Sequence, residues 1–451
     1  MHRRDLLRLL SLSPLAFSRQ TTPPSGFVPD VEFTLTAAPD DMQVLPGAPT
    51  RVWRFTGRLL KGPSDTLQTL PGSYLGPVIR LRRGQQVRVR FANQIGEDSI
   101  VHWHGLDVPD TADGHPRLAI GHGQEYVSDF AVTNRAGTYW YHPHPHMRTG
   151  AQVYQGLAGL LLVSDADEDA LALPSGEAEL LCVLQDRRFD ARNQLVYQAG
   201  ARMGMGMGMM DGFLGDRVLV SGQPQPTREV DAGWHRVRLL NGSNARIYKL
   251  AWSRDLPMTV IGGDGGLLER PLDQRVLTLA PGQRADVLLD LTGLGPGTDV
   301  HLDSLAFPEV DAGVAGMMGN TAPVPSGAPL RMMTLRLRAR TGPAFQVPER
   351  LPTFDASWYA GADARFRRVP LHFQQMRWML AGRTFSMDGV AADETVAVGS
   401  THVWELVNQP NGMGNTNTVM IIIGTVIVAL LLVLAFGGGR MMTGGMMDWW
   451  R

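Results

Sequence analysis

A short pattern that recurs along the chain constrains the fold more than any other feature. A glycine, a run of alternating apolar residues and a closing asparagine occur in three segments: GQQVRVRFAN (84–93), GWHRVRLLN (233–241) and GSTHVWELVN (399–408). Alternation predicts a β-strand with one buried face. The closing asparagines lie 148 and 167 residues apart, which indicates a repeated unit of domain size.

A second pair of segments supports the repeat. GQEYVSDFAV begins at Gly123 and GQRADVLLDL begins at Gly282, each following the asparagine-terminated strand of its own unit. Chance matching is the alternative, and two matches at comparable offsets favour the repeat. A sandwich domain would place a later strand at this offset.

Composition favours short strands joined by turns. The 451 residues include 51 glycines and 30 prolines, and such a chain is predicted to be all-β. We expect domains at 27–165 and 178–342 and a partial third domain at 345–408, which is too short for a complete sandwich. The net charge of -1 provides no basic surface field, so we expect no nucleic-acid partner.

The N-terminal segment predicts export. Residues 1–26 carry the pair Arg3 and Arg4, a short apolar stretch and the segment AFS (16–18), which offers a cleavage site. This pattern is typical of a twin-arginine signal, which would place the protein in the periplasm or on the outer face of the cytoplasmic membrane. The alternative is an N-terminal helix of the mature protein.

Histidines crowd two short stretches, VHWHGLDVPD (101–110) and GTYWYHPHPHMRTG (137–150). On a strand, residues i and i+2 point to the same face, so each His-x-His aims two imidazoles at one place. One such pair is often only a surface feature. Two pairs flanked by aromatic residues in one predicted sandwich indicate a metal site, and imidazole suits copper, zinc or iron.

Several segments resemble the multicopper oxidases, the family of laccases, bilirubin oxidase and bacterial copper-resistance oxidases. Two segments of this chain resemble the family's first two copper motifs: HWHG (102–105) and YWYHPHPHMRTGAQVYQGLAGLLLV (139–163). Three further segments resemble the family's second domain: DRRFD (186–190), GFLGDRVLVSGQ (212–223) and VIGGDGGLLERP (260–271). The resemblance covers about residues 30–408. It implies tandem cupredoxin-like Greek-key sandwiches, two complete and one partial, and one-electron oxidation of a substrate with reduction of dioxygen to water.

The same resemblance implies roles for the histidines. His102 corresponds to a type-2 copper ligand, and three others correspond to type-3 ligands: His104, His142 and His144. His146 follows the second motif and is expected outside the ligand set. His115 and His122 are expected to be solvated.

The chain departs from the family pattern after VWELVN (403–408). Family members carry there the His-rich and His-Cys-His motifs that complete the cluster and form the type-1 site, whereas this sequence continues QPNGMGNTNTVMIII. Cys182 is the single cysteine and lies in an apolar stretch, so it is expected to be a buried structural thiol. We expect a partial type-2/type-3 copper cluster without a type-1 site, and another chain is a candidate source of the missing ligands.

The C-terminal tail contains an uncharged apolar segment at 419–436. Its 18 residues are just long enough for a transmembrane helix, and Arg440 and Arg451 after it predict a cytoplasmic C-terminus. The alternatives are a buried core helix and a tail produced by gene disruption or fusion.

A glycine-rich stretch, RMGMGMGMMDGF (202–213), concentrates thioethers. Thioether sulfur is a soft ligand for Cu(I), and copper-resistance oxidases of the family often carry methionine-rich segments. The candidate Cu(I) contacts are Met203, Met205, Met207, Met209 and Met210. A flexible low-complexity loop is the alternative.

Three functions remain open from the sequence. The first is a laccase-like or Cu(I)-oxidising enzyme that uses dioxygen and a small reductant, impaired by loss of the type-1 site. The second is a non-catalytic copper-binding envelope protein anchored in the membrane by its C-terminal helix. The third is a truncated inactive oxidase whose exposed sheet edges favour aggregation.

Overall fold

The protein is described here from a computed structural model. This structure describes residues 26–197, 212–308, 323–341, 344–354, 365–374, 377–397 and 400–408. Three predicted features therefore lie outside the described residues: almost all of the export signal, the methionine-rich stretch with Met203, Met205, Met207, Met209 and Met210, and the apolar segment 419–436.

The first part of the chain forms two sheets, which we call the first sheet pair. Its strands are β1 (Val31–Met42), β2 (Thr50–Lys61), β3 (Leu67–Gln68), β4 (Val78–Arg82), β5 (Gln86–Asn93), β6 (Val101–His104), β7 (Glu125–Ala131), β8 (Gly137–Pro143) and β9 (Gly159–Ser164). The strand orders are β2-β1-β5-β7 and β3-β4-β9-β8-β6. Two short helices, α1 (Thr149–Gln155) and α2 (Ala166–Asp169), flank β9.

The next part forms a second sheet pair. Its strands are β10 (Glu179–Arg187), β11 (Arg217–Val220), β12 (Gln223–Pro224), β13 (Thr227–Ala232), β14 (Trp234–Asn241), β15 (Tyr248–Trp252), β16 (Met258–Gly263), β17 (Gly266–Gln274), β18 (Leu277–Leu279), β19 (Arg284–Asp290), β20 (Asp299–Ser304) and β21 (Leu330–Thr341). The orders are β12-β11-β10-β14-β19-β16-β17 and β13-β21-β20-β15-β18.

A smaller sheet follows, with the order β23-β22-β24. Its strands are β22 (Arg365–Gln374), β23 (Arg377–Leu380) and β24 (His402–Asn408). Short 3-10 turns occur at Pro116–Leu118, Gly176–Ala178, Ser253–Asp255 and Ala392–Glu394. The predicted all-β class is confirmed.

The three asparagine-terminated segments all form strands. Each pairs in parallel with the first long strand of its own unit: β5 with β1, β14 with β10, and β24 with β22. Asn93 and Asn241 also share a role, because each amide donates to two backbone carbonyls and accepts a backbone N–H two residues later. The sequence repeat is therefore a repeat of local structure.

Burial on β5 and β14 differs. Residues of β5 alternate between buried and partly exposed, as predicted, and the apolar side chains of β1 and β5 form the first core. The prediction of one buried face is wrong for β14, which is buried almost throughout. Its arginines, Arg236 and Arg238, are covered because they pair with Glu168, Glu179 and Asp286 between the two sheet pairs.

A third apolar cluster joins the sheet pairs. Leu160 and Leu162 of β9 pack with Leu181 and Val183 of β10, and the fully buried Trp140 of β8 belongs to the same cluster. Burying one such aliphatic side chain contributes about 1.5–3 kcal/mol. This packing holds β8, which carries one histidine pair, against the second sheet pair.

Within the described ranges, we find no helix whose length and apolarity would let it traverse a bilayer.

Candidate metal centre

Two neighbouring strands bring the His-x-His motifs together. β6 and β8 are antiparallel, and their register sets His102 opposite His142 and His104 opposite Trp140. The backbone N–H of His144 donates to the carbonyl of Ile100 at 2.9 Å, which continues the pairing beyond β8. Since alternate residues share a face, all four imidazoles lie on one side of this strand pair.

The resulting cluster is compact. One nitrogen from each of His102, His104 and His142 lies within 4.8 Å of the others. The ring centroid of His144 lies 5.3 Å from that of His102 and 6.1 Å from that of His142. His142 is fully buried and His144 nearly so. The structure therefore assembles all four predicted metal-binding histidines, with His144 further from His142 than from His102.

Hydrogen bonds determine which ring nitrogens carry protons. The Nδ1 of His102 lies 2.7 Å from the Asp113 carbonyl, and the Nδ1 of His142 lies 2.8 Å from the Pro143 carbonyl. Carbonyl oxygens only accept hydrogen bonds, so both Nδ1 atoms donate, and in the neutral form of each ring the Nε2 atom keeps a lone pair. Such backbone partners orient metal-binding imidazoles.

This donor set fits a copper ion. The Nδ1 of His104 lies 3.2 Å from the Nε2 of His142. Two ligands of one ion with imidazole–metal bonds of about 2.0–2.1 Å are separated by about 3–4 Å. Neutral imidazole is a good ligand for copper.

The surroundings favour neutral imidazole at two of these positions. Burial lowers the pKa of His104 well below its usual range, and the Arg284 guanidinium and the other histidines lower it further. Burial likewise lowers the pKa of His142, with help from His102 and His144. Neutral rings have a lone pair to offer a metal ion, so these two imidazoles need lose no proton on binding one.

His102 has the opposite electrostatic environment. Burial disfavours its charged form, yet the Asp113 carboxylate outweighs this effect and raises the pKa of His102. The Asp113 Oδ1 atom lies 3.3 Å from the His102 Nδ1 atom. Sequence reasoning missed Asp113, although it lies in the same GLDVPDTADG stretch (105–114) that follows the first motif.

Trp140 is a second residue that the sequence did not single out. Its ring centroid lies 4.3 Å from that of His142 and 5.0 Å from that of His104. Because Trp140 has no exposed surface, it closes one side of the histidine cluster and separates it from water. One of the aromatic residues that flank the motifs therefore forms a wall of the site, whereas Trp103 and Tyr141 belong to the first core.

The other predicted residues lie outside the cluster. His146 contacts Phe385, with ring centroids 5.1 Å apart. His115 is partly buried near the same phenyl ring rather than fully solvated, at 6.5 Å, and burial lowers its pKa. His122 is exposed, as predicted. Cys182 is fully buried in the second core, 3.8 Å from the Met333 sulfur, as expected of a structural thiol.

Comparison with known proteins agrees with this geometry. A sequence profile described as "Multicopper oxidase" matches residues 54–168. The crystal structure of the McoA multicopper oxidase from Aquifex aeolicus superposes with a TM-score of 0.69 and 32% sequence identity, and the match covers 85% of this chain and 79% of that chain. The chain belongs to the multicopper oxidase family. The predicted resemblance is thus confirmed, and membership of the multicopper oxidases implies copper as the metal.

The curated relatives include proteins of two different names. "Multicopper oxidase mco" of Staphylococcus aureus is 36% identical over 221 residues, and "Cell division protein FtsP" of Xenorhabdus nematophila is 40% identical over 244 residues. The match to the Staphylococcus aureus protein covers 49% of this multicopper oxidase chain and 48% of that relative. The match to the Xenorhabdus nematophila protein covers 53% of this chain and 49% of that relative. The chain thus spans about half the length of these curated relatives.

Proposed function

We propose that this chain is a copper-binding oxidoreductase that oxidises a phenol or Cu(I) and reduces dioxygen to water. The observation that carries the proposal is the register of β6 and β8, because the opposition of His102 and His142 gathers four imidazoles at one place. Bound copper would supply one-electron acceptance from the reductant and electron transfer to dioxygen.

The chain's own residues bind and orient the metal. We assign His102 to a type-2 copper and three residues to type-3 copper: His104, His142 and His144. The Asp113 and Pro143 carbonyls fix the rings of His102 and His142 with Nε2 available to copper. Trp140 keeps water from one side of the cluster.

In this proposal the chain holds a partial cluster and no type-1 copper of its own. A blue type-1 site needs a thiolate together with imidazoles. Burial raises the pKa of the Cys182 thiol, which disfavours the thiolate. Activity would then be impaired unless another polypeptide contributes ligands, and the candidate Cu(I) contacts in the methionine-rich stretch would serve copper binding alone.

A second candidate function is a non-catalytic copper-binding protein of the cell envelope. Similarity to proteins named cell division protein FtsP favours it. Both candidates share the proposed organisation: an exported chain with a twin-arginine signal, sandwich domains at 27–165 and 178–342, a partial third domain at 345–408, and a membrane anchor at 419–436.

Copper content, visible spectrum and oxygen uptake of the purified mature protein test the proposal together. Copper bound without a blue band, with slow oxygen uptake on a phenol or Cu(I), is the expected result. Bound copper without any uptake favours the non-catalytic protein. A protein that takes up no copper contradicts both candidates, and a blue band contradicts the assignment of a partial cluster.

A further inference from the structure

A turn of the second sheet pair lies against the first histidine motif. The turn precedes β19, and a methyl group added at Gly282 would lie 3.6 Å from Cε1 and 3.9 Å from Nε2 of His104. The Nδ1 atom of the same ring, which is bonded to Cε1, lies 3.2 Å from the Nε2 atom of His142. The His104 imidazole therefore lies close both to a strand of its own sheet and to a turn of the next sheet pair.

Arg284 fixes the shape of this turn. Its guanidinium donates to the carbonyl of Gly282 at 3.0 Å and to the carbonyl of Asp264 at 2.9 Å, and its backbone N–H donates to the Asp264 carboxylate at 2.7 Å. The side chain is only 3% exposed. A planar guanidinium with several fixed donors suits such multiple bonding, which a lysine would not reproduce.

The same side chain also binds the strand that carries the second histidine motif. The Nε of Arg284 donates to the Thr138 carbonyl of β8 at 3.1 Å. Its guanidinium carbon lies 6.0 Å from the ring centroid of Tyr139. Arg284 thus links the turn beside His104 to the strand of His142.

Gly105, which directly follows His104, shows how closely Arg284 approaches the motif. A Cβ atom at this position would lie 2.7 Å from the Arg284 Nη2 atom and 2.9 Å from Tyr139. Gly105 also has a φ of +92°, which side chains disfavour. The glycine of HWHG is therefore required both by the backbone turn and by the guanidinium that packs against it.

We propose that Arg284 is a positioning residue of the metal centre, through which the second sheet pair sets the orientation of His104 and thereby the affinity of the histidine cluster for copper. Arg284 itself binds no metal. The inference rests on the proposed copper function and goes beyond it, because it makes the first sheet pair's metal site depend on a side chain of the second.

The test compares full-length variants Arg284→Gln, Arg284→Lys and the matched control Arg246→Gln. Arg246 is an equally buried arginine of the second sheet pair whose guanidinium bonds the Asp186 carboxylate and the Gly215 carbonyl. Cu(II) affinity is measured by competition with a chelator, and the EPR spectrum of bound Cu(II) is recorded. Thermal unfolding measures the loss of stability in each variant.

We expect Arg284→Gln to weaken Cu(II) binding about 10- to 100-fold and to change the EPR spectrum. Arg284→Lys should bind Cu(II) more tightly than Arg284→Gln but more weakly than wild type, because lysine keeps the positive charge but not the planar set of guanidinium donors. Arg246→Gln should lower stability without changing the EPR spectrum. Wild-type affinity and spectrum in Arg284→Gln, or equal changes in Arg246→Gln, would overturn the proposal.

A readout without metal separates this inference from the proposed function. In metal-free protein labelled with ¹⁵N-histidine, the His104 imidazole signals should shift in Arg284→Gln and stay unchanged in Arg246→Gln. If wild-type protein binds no copper, the proposed function fails and the NMR comparison still decides the role of Arg284. If Arg284→Gln does not fold, Asp264→Asn, which weakens the same turn, replaces it in both measurements.

Discussion

His102 and His142 are register partners on adjacent antiparallel strands, with ring centroids 5.2 Å apart. Neither motif provides the cluster alone, because each strand contributes only the imidazoles on one of its faces. Replacing either partner should remove a nitrogen from the centre while leaving the sheet hydrogen bonds in place.

We expect His142→Ala to weaken copper binding by about tenfold or more, because the copper ion loses one of its bonds to the protein. Copper per chain after dialysis against a weak chelator measures the effect. The control is His301→Ala on β20, a partly buried histidine near Thr334 in the second sheet pair. Equal copper contents in the two variants would show that His142 is no ligand.

Asp113→Asn should lower the pKa of His102. The Asp113 carboxylate stabilises the protonated imidazole, while the Asp113 carbonyl that accepts from Nδ1 remains in the variant. Histidine NMR signals followed against pH in metal-free protein measure the change. Asp110→Asn is the control, since Asp110 pairs instead with Arg117; an unchanged His102 titration in Asp113→Asn would contradict the assigned cause.

Acid should destabilise the interface between the sheet pairs. Despite burial, the arginines of β14 lower the pKa values of both Asp286 and Glu179. A carboxyl group whose pKa is lowered in the folded state stabilises the protein at pH values above its unfolded-state pKa. That pKa is about 3.9 for Asp and 4.3 for Glu. That stabilisation is lost as the pH falls through the folded values.

Urea unfolding midpoints from pH 6 to pH 3 test this expectation. Asp286→Asn should lower stability at pH 6 by about 3–5 kcal/mol, because it breaks a buried ion pair, and should flatten the acid dependence. Asp255→Asn changes an exposed pair with Arg275 and should leave the profile as in wild type. If the stability of Asp286→Asn fell with pH as steeply as that of wild type, the Asp286 carboxylate would not be the cause of the acid dependence.

Gly159→Ala should disturb the strand of His142 through Tyr141. A Cβ atom at Gly159 would lie 2.3 Å from the Tyr141 hydroxyl oxygen, which donates to the Pro77 carbonyl. Such overpacking destabilises a core by about 1–3 kcal/mol, so the melting temperature and the copper content should both fall. Gly96→Ala enters open space and should change neither; tolerance of Gly159→Ala would mean that Tyr141 can move freely.

Much of the architecture was predictable from local pattern. Period-two alternation identified β5, β14 and β24, and the asparagines that close them marked equivalent positions because the same local hydrogen bonds form around Asn93 and Asn241. The burial of β14 was not predictable from the sequence, because arginines at alternate positions predict a solvent-exposed face. Only the structure shows that Asp286 and Glu179 pair with these arginines and bury them.

The sequence by itself determined that the protein is built of strands, that His102, His104, His142 and His144 are presented in same-face pairs, and that Cys182 lies in an apolar strand. These properties depend on neighbours along the chain. Only the tertiary structure decided the opposition of His102 to His142, because strand register is set by long-range pairing. It also decided the contact of Arg284 with the His104–Gly105 peptide, since residues about 180 positions apart in sequence meet only when the two sheet pairs pack.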